Sequence, residues 1–326
     1  MKAVVRHVYG PPEVLELAEL NKPVPGEGEV LIRVRAASLN ASDWEILRGK
    51  PLYGRIWGFF TPKIRILGSD VAGTVEAVGS NVTRFGPGDA VYGDIMERWG
   101  GFAEWVCAPE TMLRPKPEFI SFEQAAAMPQ SGAIALQGLR DKGQVQAGQK
   151  VLINGAGGSG GTFAIQIAKA LGAEVTAVDS AQKAELMRSL GADHVIDYAR
   201  EDFTRNHKRY DLILDLVGKH SFFDFKRALA PTGRYLVVGG AVSLILRVVF
   251  LGALVSLLTR KKMGLLMVKV NQGLGVLEDY FRSGAVVPAI DRTYTLSETP
   301  EALRCLGEGR AKGKLVIAMG SEDRST

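Results

Sequence analysis

Short apolar runs separated by glycine and proline turns dominate the first third of the chain. Apolar runs of strand length cover residues 30–35, 71–79 and 90–92, and turns lie at 25–28 (PGEG) and 85–89 (FGPGD). β-Branched residues between such turns are typical of strands. The pattern predicts a small, barrel-like β domain.

The pattern changes near residue 120, where apolar strands begin to alternate with helical segments. Ser121 and Gln124 have the spacing of a capping box before three alanines, which predicts the start of a helix. Strands are then predicted at 151–153, 174–178, 194–196, 212–214 and 235–238, and helices at 161–171, 182–190 and 222–229. This alternation predicts a parallel, doubly wound sheet.

The last part of the chain returns to short strands from about Val287, and residues 314–318 are the clearest of them. We expect this tail to rejoin the N-terminal β domain. The predicted domains are therefore residues 1–123 with 287–326, and residues 124–286.

Composition excludes several classes of protein. The 326 residues are 46% hydrophobic and 23% charged, which is ordinary for a globular chain. The net charge of +5 comes with no long basic run, so nucleic acid is not a predicted partner, whereas an anionic small ligand is plausible. The two cysteines, Cys107 and Cys305, are too few for a disulfide framework. The N-terminus lacks the apolar stretch of a signal peptide, which predicts a cytoplasmic protein.

A glycine-rich turn links the first predicted strand of the second domain to its first helix. Residues 151–161 read VLINGAGGSGG, and Gly155, Gly157 and Gly160 match the dinucleotide fingerprint in its required strand–turn–helix context. Glycine permits positive φ and close approach to a pyrophosphate, and the start of the helix attracts phosphate. The turn, with Gly158 and Ser159, is the predicted dinucleotide site.

The end of the next strand carries the residues that would distinguish NAD from NADP. Asp179 lies where a carboxylate binds the ribose hydroxyls of NAD and repels a 2′-phosphate. Ser180 and Lys183 offer a hydroxyl and a cation that suit a 2′-phosphate. These residues leave both cofactors open.

Five segments together resemble the medium-chain dehydrogenase/reductase superfamily, and specifically its zinc-free quinone oxidoreductase branch. They are residues 67–73 (LGSDVAG), 86–93 (GPGDAVYG), 155–160 (GAGGSG), 190–193 (LGAD) and 215–218 (DLVG). The resemblance implies an α/β fold in which a Rossmann doubly wound parallel sheet is inserted in a GroES-like β-barrel domain. It also implies a homodimer.

The resemblance bears on the metal as well. Zinc-dependent relatives have a cysteine where this chain has Asn40 and a histidine where it has Ser69, and their third ligand falls near Gln130 or Ser131. Amide and hydroxyl groups do not replace soft zinc ligands, so no metal is predicted. Asn40 resembles an asparagine beside the nicotinamide and is expected to polarise the substrate. The further catalytic candidates are Ser42, Tyr53 and Ser69.

In NADPH-dependent relatives three residues contact the 2′-phosphate, and Lys183, Tyr198 and Arg310 occupy the matching positions. The resemblance therefore favours NADP(H), although Asp179 keeps NAD(H) open. The remaining cofactor-binding candidates lie at strand ends near the expected nicotinamide: Val217, Gly239 and Gly240.

These inferences predict a zinc-independent NAD(P)H-dependent oxidoreductase that transfers hydride to a small hydrophobic quinone or α,β-unsaturated carbonyl. A conjugated acceptor spreads the developing charge and needs less help than a simple alcohol would. The alternatives are a zinc-free NAD(P)-dependent alcohol dehydrogenase and a non-catalytic dinucleotide-binding sensor.

One apolar segment stands apart. Residues 242–258 are mostly aliphatic, with Arg247 inside the run and three basic residues after it at 260–262. The run is shorter than the roughly 20 residues of a membrane span, so we expect a buried helix over the active-site cleft or at a subunit interface. The alternatives are a hydrophobic lid and a membrane-surface contact.

Overall fold

The computed structural model describes residues 1–320, which form two compact units. The first unit comprises Met1–Gln130 and the described chain from Ile290 onward, and the second comprises Ser131–Ala289. The helix predicted from the capping box at Ser121 spans Phe122–Ala127. It belongs to the first unit, because it packs against strands of that unit.

The strands are β1 (Lys2–Arg6), β2 (Leu15–Glu19), β3 (Glu29–Ser38), β4 (Asp70–Val78), β5 (Ala90–Asp94), β6 (Trp105–Pro109), β7 (Arg114–Pro115), β8 (Lys150–Asn154), β9 (Glu174–Asp179), β10 (His194–Asp197), β11 (Tyr210–Asp215), β12 (Leu229–Val237), β13 (Lys262–Leu265), β14 (Ile290–Tyr294) and β15 (Lys314–Ala318). The α-helices are α1 (Ala41–Arg48), α2 (Phe122–Ala127), α3 (Pro129–Leu136), α4 (Ser159–Ala170), α5 (Ala184–Ser189), α6 (Phe222–Ala228), α7 (Val242–Leu258), α8 (Leu274–Arg282) and α9 (Thr299–Gly307).

The first unit is built on a seven-stranded sheet in the order β14-β15-β3-β4-β5-β7, with β6 paired to β3. The C-terminal strand β15 runs antiparallel to β3 and pairs Val316 with Ser38. The tail therefore rejoins the N-terminal β unit, as predicted. The pairing also brings Lys314, at the start of β15, close to the residues that follow β3.

The second unit contains a six-stranded sheet in the order β10-β9-β8-β11-β12-β13, and every neighbouring pair is parallel. This is the predicted doubly wound Rossmann sheet. The carboxyl ends of β8, β9, β11 and β12 lie on one edge of the sheet, and the loops that follow them supply the side chains discussed below. We call this edge the carboxyl edge.

Two helices of the first unit were not predicted. Helix α1 follows Asn40, and α9 lies between the two strands of the tail, where only strands were expected. The buried positions of α9, at Ala302, Leu303 and Cys305, alternate with charged residues over a single short element. In a segment this short, the spacing of apolar residues does not distinguish a helix from a strand.

The apolar run forms α7 with the predicted bounds, but only one side of it is buried within the chain. Leu244, Val248, Gly252 and Val255 are buried, while the opposite side is exposed. The expectation of a buried helix is thus met by half of its surface. No helix among residues 1–320 is long and apolar enough to cross a membrane.

Candidate functional site

The glycine-rich turn has the geometry of a dinucleotide loop. After β8, Gly155 has φ of +86°, a conformation that L side chains rarely adopt. The backbone N–H groups of Gly155 and Ala156 donate to Val178 O at 2.9 and 3.0 Å, which ties the turn to β9. Helix α4 then begins at Ser159. Its first N–H groups lack intrahelical acceptors and lie at the carboxyl edge, as a pyrophosphate requires.

The close contact between the turn and α4 occurs one residue later than the fingerprint suggests. A Cβ on Gly161 would lie 2.2 Å from Gly155 O and 2.5 Å from Ala156 Cα. A Cβ on Gly160 would meet nothing closer than 3.5 Å. Gly161, which the fingerprint did not single out, is therefore the glycine that permits close packing of the helix on the loop.

Asp179 and Lys183 form a buried pair directly beside the turn. The Asp179 carboxylate accepts hydrogen bonds from Gly157 N at 3.0 Å and Ser180 N at 2.8 Å. Lys183 Nζ lies 3.4 Å from Asp179 Oδ1, and both side chains are about nine-tenths buried. The aliphatic part of Lys183 covers Gly157, where a Cβ would lie 2.6 Å from Lys183 Cδ. The lysine thus offsets the charge of the carboxylate and packs on the loop.

The other two residues predicted at the 2′-phosphate lie in different units. The backbone N–H of Tyr198 donates to Asp179 O at 3.3 Å, and the tyrosine side chain is exposed. Arg310 belongs to the first unit, where its guanidinium contacts Glu308 at 2.6 Å and Glu301 at 3.2 Å. Carboxylates of its own unit thus already bind Arg310, and its phosphate contact stays a prediction.

Asp215 organises the next loop along the carboxyl edge. Its Oδ1 accepts hydrogen bonds from Asn154 Nδ2 and from the backbone N–H groups of Val217 and Gly218, at 2.8 to 3.1 Å. Its Oδ2 accepts one from Tyr235 at 2.9 Å. The sequence marked Asp215 only as part of a family motif, whereas the structure shows that it fixes the loop holding Val217.

Gly239 and Gly240 follow β12 at the same edge as this loop. A Cβ on Gly218 would lie 3.1 Å from Gly239 O and 3.3 Å from Gly240 Cα. The two strand ends therefore approach each other closely through backbone. This arrangement is compatible with the predicted role of both glycines beside a nicotinamide.

A second cluster of polar side chains lies in the first unit, around Asp70. The Asp70 carboxylate is fully buried and accepts hydrogen bonds from Asn40 Nδ2 at 3.0 Å, Ser38 Oγ at 3.3 Å and Gln130 N at 3.2 Å. Lys314 is also fully buried, and its Nζ lies 3.5 Å from Asp70 Oδ2. The same ammonium donates to Asn40 Oδ1 at 2.8 Å. We call these residues the Asp70 cluster.

Within this cluster, the side chain of Asn40 links Asp70 to Lys314. Both ends of its carboxamide bond to buried charged groups, and the residue is only 2% exposed. Its backbone N–H donates to Asp43 Oδ2 at 2.7 Å, which fixes the start of α1. The predicted contact between Asn40 and a substrate remains a prediction.

The other catalytic candidates differ in accessibility. Ser42 Oγ donates to Gln130 Oε1 at 2.9 Å, and the buried Ser69 hydroxyl accepts from Gln130 Nε2 at 3.4 Å. Tyr53 is 39% exposed, and its hydroxyl donates to Glu45 at 3.1 Å. Burial raises the pKa of Glu45. Of the four candidates, Tyr53 has the side chain most accessible to a small molecule.

The chemistry of these donors does not fit zinc. The ligand positions of zinc-dependent relatives hold Asn40 and Ser69, with Gln130 beside them, and the Lys314 ammonium lies within hydrogen-bond distance of Asn40. Hard amide and hydroxyl groups next to a buried cation bind zinc poorly. Among residues 1–320, no three His, Cys, Asp or Glu side chains are grouped to hold a metal ion.

Two further carboxyl groups beside the cluster, those of Asp43 and Asp94, have strongly raised pKa values. Burial raises the pKa of Asp43 to about 7, against two backbone hydrogen bonds that favour its charged form. Burial, together with the charge of Asp70, raises the pKa of Asp94 to about 7. One lysine faces three carboxyl groups here, so the cluster is closest to neutral when Asp43 and Asp94 are protonated.

These shifts predict a fall in stability of the first unit as the pH rises. Protonated Asp43 and Asp94 favour the folded state below the unfolded pKa of 3.8, and this contribution is lost as the pH rises through about 7. Between pH 6 and 8 we expect a loss of about 1 kcal/mol for each group. Tryptophan fluorescence during urea unfolding measures it, because all four tryptophans lie in residues 1–130.

The variant Asp94→Asn provides the control for this pH dependence. An asparagine cannot titrate and keeps an acceptor for Met96 N, which donates to Asp94 Oδ1 at 2.9 Å. We expect it to remove about half of the slope. An unchanged slope would show that other groups cause the pH dependence.

Comparison with known proteins places this architecture in a family. The model of the alcohol dehydrogenase GroES-like domain matches residues 26–118, and that of the zinc-binding dehydrogenase domain matches residues 190–317. The model of the C-terminal domain of alanine dehydrogenase/PNT matches residues 126–217.

Several similar proteins match along nearly the whole chain. The 2-methylene-furan-3-one reductase of Solanum lycopersicum is 34% identical over 97% of this chain and 79% of its own length. The NADPH-dependent alkenal/one oxidoreductase of Arabidopsis thaliana, a chloroplastic protein, has the same identity and coverage. The quinone oxidoreductase structure from Coxiella burnetii superposes with a TM-score of 0.87 at 31% identity, covering 98% of this chain and 99% of its own. The chain therefore belongs to the medium-chain dehydrogenase/reductase superfamily, among its quinone oxidoreductase-like members.

Proposed function

We propose that this protein is a zinc-independent, NADP(H)-dependent reductase of α,β-unsaturated carbonyl compounds and quinones. The observation that carries the proposal is the carboxyl edge of the second unit. There the Gly155 turn and the start of α4 follow β8, and the Asp215 loop follows the neighbouring strand β11, an arrangement that supports a dinucleotide site. The names of the similar plant reductases and of the quinone oxidoreductase structure support the class of acceptor.

NADP(H) is the proposed cofactor because the charge of Asp179 is offset within the protein. A free carboxylate at this position would repel a 2′-phosphate. Here Lys183 and two backbone N–H groups offset its charge. The Lys183 ammonium and the Ser180 hydroxyl then offer donors to a phosphate, and Tyr198 lies beside them, with its backbone N–H donating to Asp179 O. NAD(H) is the alternative if Asp179 turns to the ribose instead.

In the proposed reaction, each part of the protein has a defined task. When bound, the reduced nicotinamide supplies a hydride, which the β-carbon of an enone accepts. The Gly155 turn and the start of α4 would hold the pyrophosphate, and Asp215 keeps the Val217 loop in place. Tyr53, whose side chain is 39% exposed and whose hydroxyl donates to Glu45 in this structure, is the candidate donor to the acceptor oxygen once that hydrogen bond is released. No histidine is assigned as the acid that protonates the α-carbon. That proton is therefore proposed to come from solvent.

Lys183→Met tests the phosphate site. Methionine retains an unbranched apolar stem over Gly157 and removes the ammonium. We expect NADPH to bind about tenfold more weakly, because a charge-assisted contact is lost, and NADH affinity to change little. Calorimetric titration with both nucleotides measures the difference. Equal losses for NADPH and NADH would contradict a contact with the 2′-phosphate.

The catalytic assignment is tested with a panel of acceptors. NADPH oxidation is followed by absorbance with alkenals, enones and quinones, and NADP⁺ reduction is followed separately with simple alcohols. We expect turnover of conjugated acceptors and none of the alcohols. Turnover of alcohols alone would favour a zinc-free alcohol dehydrogenase. Tight binding of NADPH without turnover of any compound would favour a dinucleotide sensor.

Assembly and location remain predictions. A homodimer would pair the sheet edges of the second unit, and β13 forms one such edge. A cytoplasmic location stays a prediction, and the similar proteins include chloroplastic and mitochondrial ones. The predicted substrate is small and hydrophobic, and nucleic acid is not among the predicted partners.

A further inference from the structure

Helix α7 exposes a continuous apolar surface. Phe250, Leu257 and Leu258 are 69%, 81% and 72% exposed. Isolated exposed apolar residues are common, but a contiguous set marks an interaction site. This surface, which we call the apolar face of α7, consists of Leu246, Val249, Phe250, Leu254, Leu257 and Leu258.

The length and orientation of α7 fit contact along the helix and not insertion through a bilayer. The opposite side, including Leu244, Val248 and Val255, packs into the core of the second unit. The apolar face runs the length of a 17-residue helix, about 25 Å. A helix anchored on one side can lie in the plane of a membrane interface with the other side in the acyl region.

The charges around α7 identify a negatively charged partner. Residues 225–277 contain eight basic and no acidic residues. Of the basic residues, Arg227, Arg247, Arg260, Lys262 and Lys269 are exposed, and Arg227 is paired with Asp224. An apolar surface within a purely basic segment is complementary to an anionic lipid surface.

The same combination occurs independently in the first unit. Residues 46–69 hold five basic and no acidic residues, and they expose Leu52, Ile56, Phe59 and Phe60. The two segments contain 13 of the 40 basic residues, which leaves 27 basic and 35 acidic residues elsewhere. The excess positive charge of the chain is thus concentrated where apolar side chains are exposed.

We propose that the apolar face of α7 docks on the surface of an anionic lipid bilayer, with the surrounding basic residues at the lipid phosphates. The helix begins at Val242, two residues after Gly240 at the carboxyl edge. The first turn of α7 lies against the loop at Gly218, since a Cβ placed on Gly218 would lie 3.2 Å from Leu244 Cδ2. Docking therefore brings the dinucleotide edge near the bilayer.

This placement extends the class of substrate. Long-chain enals and isoprenoid-type quinones partition into bilayers, and a docked reductase would receive them from the lipid. The extension rests on the proposed reductase function, whereas the docking itself depends only on the surface of α7.

Flotation of the full-length protein with vesicles tests the docking. We expect binding to vesicles of phosphatidylcholine with phosphatidylserine, weaker binding to phosphatidylcholine alone, and release by salt. The triple variant Phe250→Ser, Leu254→Ser, Leu257→Ser should bind at least about tenfold more weakly. The matched control Val24→Ser, Phe119→Ser removes exposed apolar residues at other sites and should bind like the wild type.

Two measurements on the same samples separate the possible failures. Sedimentation shows whether the triple variant dissociates a homo-oligomer, and NADPH oxidation with a short, water-soluble enone reports the reductase activity. Absence of vesicle binding by the wild type, or loss of an oligomer with unchanged vesicle binding, would overturn the docking proposal. If the wild type binds vesicles but reduces no acceptor, the proposed reductase function is contradicted and the docking proposal still holds.

Discussion

The variant Lys314→Met should lower the free energy of unfolding of the first unit by about 3–5 kcal/mol. Lys314 is completely buried, 3.5 Å from the equally buried Asp70, so its removal leaves a carboxylate without a compensating cation. Asn40 also loses the donor to its Oδ1. Urea unfolding followed by tryptophan fluorescence reports this unit, because no tryptophan lies in residues 131–289.

Two control variants make this prediction specific. Lys312→Met removes an exposed lysine two residues away and should change stability by less than about 0.5 kcal/mol. The double variant Asp70→Asn, Lys314→Met removes both charges and should recover part of the loss, since the pair is coupled. If Lys314→Met unfolds at the same urea concentration as Lys312→Met, the buried pair is not a determinant of stability.

Gly161→Ala should distort the dinucleotide loop. The new Cβ would lie 2.2 Å from Gly155 O and 2.5 Å from Ala156 Cα, and backbone atoms at such distances cannot move aside without shifting the turn. Overpacking of this kind costs about 1–3 kcal/mol. We expect dinucleotide affinity to fall about ten- to a hundredfold by calorimetry and the melting temperature to fall by circular dichroism.

The neighbouring glycine is the control for stability. A Cβ on Gly160 meets Leu216 Cδ1 at an ordinary 3.5 Å, and alanine favours a helix over glycine by up to about 1 kcal/mol. Gly160→Ala should therefore melt at the wild-type temperature or above it. Equal destabilisation by both substitutions would contradict the assignment of the close contact to Gly161.

Local features of the site could be predicted from the sequence because their causes are local. The strand, the turn at Gly155 and the start of α4 follow one another within a few residues, so their pattern determines their structure. Helix α7 was predicted with its bounds for the same reason. Its exposed side was not predicted, because a helix that is apolar all round does not indicate which face is covered.

The Asp70 cluster could not be predicted, since its members are far apart in the chain. Asn40 and Lys314 are 274 residues apart and meet only because β15 pairs with β3. A lysine within an apolar strand gave no signal of its buried partner. The role of Asp179 was similarly obscured, because the sequence places a carboxylate at the strand end without showing that Gly157 N–H and Lys183 bind it.

The central claim, hydride transfer from NADPH to a conjugated acceptor, is tested most directly by isotope transfer. The protein is incubated with an alkenal and with NADPH carrying deuterium at the transferable position, and the product is analysed by mass spectrometry. The proposed function predicts a saturated aldehyde with deuterium at its β-carbon and a solvent-derived hydrogen at its α-carbon. Deuterium at the carbonyl carbon would indicate alcohol dehydrogenase chemistry, and an unlabelled, unchanged alkenal beside tightly bound NADPH would contradict the reductase assignment.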